Sequence, residues 1–237
     1  MSFRLALAGS SLLIIAGTIP LFFLDRDKPA DTAHISLSPY LTGIDRTTVK
    51  FAKVELFIGL GFAFLLFFMN LFYIYHYGSN IEAFGVMNAV LIIPMVFFIL
   101  IGPALAKRFK NLRVILASRF LSAILAVVVG LTANSFIGGS AYIFFRSFIS
   151  LSQTLWFAYT ISTATKRSHM ATSAWLEITF QLGLGIAALL GGRLVAKSAY
   201  FTLGLLSALS MAISFLLTFF FFGCKEKTAD ETDSAVI

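Results

Sequence analysis

Acidic side chains are scarce in this 237-residue chain: 11 Asp and Glu stand against 18 Lys and Arg, and charged residues make up only 12% of it. That is about half the charge of an ordinary soluble domain. Cysteine is nearly absent too. Cys224 stands alone, which excludes an internal disulfide framework. With three His and neither H-E-x-x-H nor C-x-x-C spacing, no metal site is expected. Neither G-x-S-x-G nor a P-loop occurs, so the chain reads as no enzyme and no cofactor is expected. Five Pro and 17 Gly are too few for a collagen-like chain or a Pro/Gly-rich disordered one.

What the chain has is apolar bulk: 59% hydrophobic residues, 27 Phe and a mean hydropathy of +0.91. A helix needs about 20 apolar residues to cross a bilayer, and seven segments supply them: Leu5–Leu24, Val54–Tyr77, Ala83–Ala106, Val114–Ala133, Ala141–Ala164, Ala171–Val195 and Tyr200–Gly223. The expected fold is therefore an all-α integral membrane protein with seven transmembrane helices. Residues 1–24 hold the first span, 25–53 a polar linker broken by Pro29 and Pro39, 54–223 a six-helix bundle, and 224–237 a polar tail. The first segment could be misread as a cleaved signal, but its apolar stretch is too long and no Ala-x-Ala site precedes Asp25.

Lys and Arg are retained on the cytoplasmic side of a membrane. Thirteen lie in alternate connectors (Arg26, Lys28, Arg46, Lys50, Lys53, Lys107, Arg108, Lys110, Arg113, Lys166, Arg167, Lys225 and Lys227). The opposite side has only Arg4, Arg193 and Lys197. Hence the C-terminus is expected in the cytosol and, with seven spans, the N-terminus outside, most simply in the plasma membrane. Clustering of the basic residues between apolar runs also argues against nucleic acid as the source of the +7 charge. Spans two to four and five to seven run in opposite orders across the bilayer, the layout that a three-plus-three inverted repeat requires.

The end of span three reads Gly102-Pro-Ala-Leu-Ala-Lys-Arg-Phe-Lys-Asn-Leu-Arg113, which resembles the G-x-x-L-A-D-R-F-G-R-R loop of major facilitator superfamily (MFS) transporters. Gly102, Leu105, Ala106, Arg108 and Phe109 match; Lys107 replaces the motif's Asp, Lys110 its Gly and Asn111 an Arg. A second stretch, Ala171-Thr-Ser-Ala-Trp175 with Gly183, Gly185, Gly191 and Gly192, is similar to the eleventh helix of that family. The resemblance implies helices six to twelve of a twelve-helix secondary transporter, the last six forming an MFS-type half-bundle with a 3+3 inverted repeat. It also implies a small-molecule substrate and a partner, either an N-terminal half-bundle or a second copy, in the lipid bilayer. The chain is on this reading a fragment, because five helices of the first half are absent. A seven-span receptor or scaffold is the competing reading.

Polar side chains at membrane depth are costly, so each one inside a span is a functional candidate. Arg146, Ser150, Gln153 and Phe157 share a face of span five, and Glu177 and Gln181 share one of span six. At 1.5 Å per residue, Arg146 lies about 8 Å from the outer edge and Gln153 about 18 Å, while Glu177 lies about 9 Å and Gln181 about 15 Å from the cytosolic edge. Gln153 and Gln181 are thus expected to meet at the midplane as substrate contacts, joined by Asn70 and Arg146. Arg119 shares the depth of Glu177, so an Arg119–Glu177 or Arg119–Glu55 pair is the alternative to a proton-carrying carboxylate. Tyr73, Tyr75, His76 and Tyr77 are expected to form an aromatic belt at the outer surface.

Overall fold

The computed structural model describes residues 45–163 and 169–223. Leu5–Leu24, most of the linker, residues 164–168 and the tail from Cys224 lie outside the described residues. Helix α1 runs over Arg46–Leu66, turns at Phe67 and Phe68, resumes at Met69–Leu71 and closes in a π-helical turn, Phe72–His76. The others are α2 (Ile81–Phe109), α3 (Asn111–Leu131), α4 (Ser135–Thr163), α5 (His169–Val195) and α6 (Tyr200–Thr218, followed by a π turn at Phe219–Gly223).

Short polar residues start three of them. Asp45 Oδ1 accepts from Thr48 N at 2.6 Å, Asn80 Oδ1 from Ala83 N at 2.9 Å, and Asn134 Oδ1 from Phe136 N at 2.9 Å. Each satisfies a backbone donor that the first turn leaves without an intrahelical acceptor. Because of the Asp45 cap, α1 begins eight residues before the apolar run at Val54, and Arg46–Lys53 are helical instead of linker.

Five described helices are long and apolar enough to cross a membrane: α1 with its π turn, α2, α3, α5 from Ala171 onward, and α6 with its π turn. Of the six spans expected among the described residues, five meet these criteria, and Leu5–Leu24 lies outside them. Helix α4 has the length, at 29 residues, but Arg146, Gln153 and its serines and threonines dilute its apolar content. Outward faces are marked by apolar stripes. On α2, Val86, Val90, Ile93, Phe97 and Leu100 are all exposed, at helical spacing.

The packing order is α5, α1, α6, α3, α4, α2, each helix lying mainly against the next. Helices α1 and α5 run parallel, with Thr48 on Thr172 at one end and Gly191 against Phe68 at the other. So do α2 and α4, with Gly139 near Met87, Phe98 on Phe148 and Gly102 under Leu151. Exchanging the first three helices for the last three maps this set of main pairings onto itself. Two seams rely on glycine. A Cβ on Gly59 or Gly183 would run into the facing backbone across α1 and α5, and Gly130 and Gly204 meet in the same way across α3 and α6. Small residues permit such approach where lipid supplies no hydrophobic drive between helices.

Candidate functional site

Helices α1 and α4 run antiparallel and touch through polar and aromatic side chains. Gln153 Nε2 on α4 donates to Glu55 Oε2 on α1 at 3.5 Å. Seven residues along each helix, the Arg146 guanidinium lies over the Phe62 ring, 4.5 Å from its centroid. Phe62 in turn sits 6.1 Å from Phe180 of α5. A continuous face therefore joins α4, α1 and α5, because Glu55 and Phe62, like Arg146 and Gln153, are two helical turns apart.

Behind it lies a second polar group. Arg119 on α3 is 2% exposed; its Nε donates to Ser152 Oγ at 3.2 Å, its Nη1 to Thr218 Oγ1, and its guanidinium stacks over Trp156 at 4.4 Å. Arg119 acts electrostatically on Glu55 without forming a direct ion pair with it. The adjacent residues Ser152 and Gln153 thus address the buried cation and the buried carboxylate respectively.

The expected constellation is rearranged accordingly. Gln153 and Gln181 do not bond to each other, since Gln181 Nε2 donates instead to Glu177 Oε1 at 2.6 Å on its own helix. The site holds two separate amide–carboxyl pairs. Neither Arg119–Glu177 nor Arg119–Glu55 is the direct pair expected; hydroxyls and an indole ring take the guanidinium. Glu177 and Gln181 are exposed, while Glu55 is buried and Arg146 and Gln153 are half-buried. Asn70 is local, accepting from Leu71 N at 2.9 Å where α1 resumes after its turn.

Gly102, Leu105, Ala106, Arg108 and Phe109 fall on the last two turns of α2 instead of in a loop. The whole connection to α3 is Lys110, at φ 69° and ψ 141°, a backbone conformation that favours glycine. Gly102 is buried beneath Leu151, and a hollow of about 400 Å³ opens beside it between Pro103, Lys107 and Thr154.

Tyr73 and Tyr77 turn inward, contrary to a purely interfacial belt. Their hydroxyls donate to Ser135 O (3.3 Å) and Val129 O (2.8 Å), and their rings fill the space left by Gly139 and Gly138. Only Tyr75, 69% exposed, faces outward as expected. Sequence reasoning missed the roles of Phe62, Trp156, Ser152 and Thr218; the last three fall on helical faces with polar residues but carry no motif. Among the described residues no His, Cys, Asp and Glu cluster could hold a metal.

Neither a protein-family model nor a curated protein matches this chain.

Proposed function

We propose that the chain is the C-terminal half-bundle of a secondary transporter of the major facilitator type, moving a small solute by alternating access against a second bundle. One observation carries the reading. The exposed surface of helix α5 carries two adjoining strips: Ile178, Leu182 and Leu189 form an apolar one, whereas Glu177, Gln181, Gly185 and Gly192 form a polar, small-residue one. A Cβ added to Gly185 or Gly192 would meet nothing within 4 Å. Lipid suits the first strip, but a carboxylate and an amide in mid-helix call for water or protein. A partner bundle across an aqueous cleft supplies both.

The exchange symmetry of the helix pairings supports an inverted repeat, and transporter sites lie where such repeats converge. On this reading α4 spans the membrane as well, its polar face turned to the cleft. The distribution of basic residues supports a cytosolic α2–α3 turn and an α1–α2 turn outside.

Single-cysteine labelling in a Cys224→Ser background tests this in cell membranes. Gln181→Cys and Gln153→Cys should react with a small, charged thiol reagent, whereas Leu189→Cys should not. Ser79→Cys should react only from outside and Lys107→Cys only from the cytosol. An inert Gln181→Cys would remove the aqueous cleft, and a cytosolic Ser79→Cys would invert the topology.

A further inference from the structure

Two arginines sit in mid-helix, and their surroundings differ. Arg119 is enclosed, bonded to two hydroxyls, stacked on Trp156 and electrostatically coupled to Glu55. Only its Nη2 lacks a hydrogen-bond partner. Arg146 is held less completely: its guanidinium lies over Phe62, its Nε and Nη1 are both buried without a hydrogen-bond partner, and among the described residues no carboxylate pairs with it. The neighbouring carboxylates are engaged elsewhere, Glu55 by Gln153 and Glu177 by Gln181.

A charged guanidinium held over an aromatic ring keeps its in-plane donors available, because the cation–π contact uses only its face. Those donors match an oxyanion, which arginine binds in a fork. Beside it, Phe62 and Phe180 offer aromatic surface. Arg146 lies eleven residues beyond Ser135, the start of α4, so it stands about 16 Å along the helix axis at 1.5 Å per residue. A headgroup phosphate offers the same chemistry as a solute oxyanion, so the two sources are separated by experiment.

Resting on the transporter reading, we infer that Arg146 is the anchor of an anion site, and that the solute is a small organic oxyanion. Its carboxylate or phosphate group meets the Arg146 guanidinium while its apolar body lies against Phe62 and Phe180.

The full chain in phosphatidylcholine nanodiscs is melted with benzoate or with inorganic phosphate as probe, at constant ionic strength. At about five times Kd, benzoate should raise the midpoint by about 2–4 °C. The shift should vanish in Arg146→Gln and survive in part in Arg146→Lys, which retains the charge but not the fork. Should Arg146→Gln not fold, Phe62→Leu, which removes the ring beneath the guanidinium, should weaken the same response. An equal benzoate shift in wild type and Arg146→Gln, or no shift with either anion, overturns the site. Phosphate acting alone overturns the organic class, and stabilisation found only in phosphatidylglycerol discs assigns Arg146 to a lipid headgroup and overturns the solute site. Reactive Gln181→Cys combined with failure here sinks the solute class but leaves the transporter reading standing.

Discussion

Gly183→Ala is the sharpest probe of the packing that holds the polar face in place. The new methyl carbon would lie 2.5 Å from Leu56 O, 2.9 Å from Leu60 N and 3.1 Å from the Gly59 carbonyl carbon, against 3.4–4 Å for ordinary contact. These neighbours are backbone, so no rotamer change relieves them, and α1 and α5 must part by roughly 1 Å. A gap of that size forfeits about a quarter to a half of each dispersion contact along the seam. Overpacking of this kind costs about 1–3 kcal/mol, and lipid offers no hydrophobic term to offset it. The bond between Thr48 Oγ1 and Thr172 Oγ1, 2.9 Å across the same seam, should weaken with it. Gly185→Ala is the internal control. Two residues further along the same helix, its added carbon meets nothing within 4 Å, and alanine's helix preference adds up to about 1 kcal/mol. That preference is common to both substitutions and cancels, so the two alanine variants should differ by about 1–3 kcal/mol when the full chain is unfolded with SDS in mixed micelles and followed by the fluorescence of Trp156 and Trp175. Equal midpoints would refute the close α1–α5 approach.

Two further substitutions test the buried charges and the tight turn. Arg119→Gln removes a cation–π contact and two hydrogen bonds and leaves Glu55 without its electrostatic partner, so it should cost about 2–4 kcal/mol in the same assay; adding Glu55→Gln should restore part of that, and strictly additive losses would break the coupling. Lys110→Gly relieves a positive-φ backbone worth about 1–3 kcal/mol, and a rise in the SDS midpoint is expected; a fall would mean that contacts of the lysine side chain outweigh the strain.

Much of this molecule is dictated by composition. A polypeptide with long apolar stretches and little charge must satisfy its backbone polar groups internally once in lipid, and helices do so within each segment. The positions of α2, α3, α5 and α6 follow from their apolar runs to within a few residues, and the shared faces of Arg146 with Gln153 and of Glu177 with Gln181 follow from the helical period alone. Partners did not follow. Equal depth in the bilayer says nothing of azimuth, so Gln153 and Gln181 read as neighbours although each amide turns to a carboxylate, one across the bundle and one on its own helix. Arg119 likewise reads as half of an ion pair, because the hydroxyls of Ser152 and Thr218 and the indole of Trp156 are unremarkable in sequence and converge only when α3, α4 and α6 pack. The reversal between α2 and α3 is legible as a basic connector over residues 107–113, but local periodicity stays helical through Lys107 and Arg108, and its narrowing to Lys110 alone is decided only by packing. Sequence fixes which side chains share a helix face, since that depends on 3.6 residues per turn; which face meets which depends on glycine contacts between segments distant in the chain, and that only the tertiary structure decides.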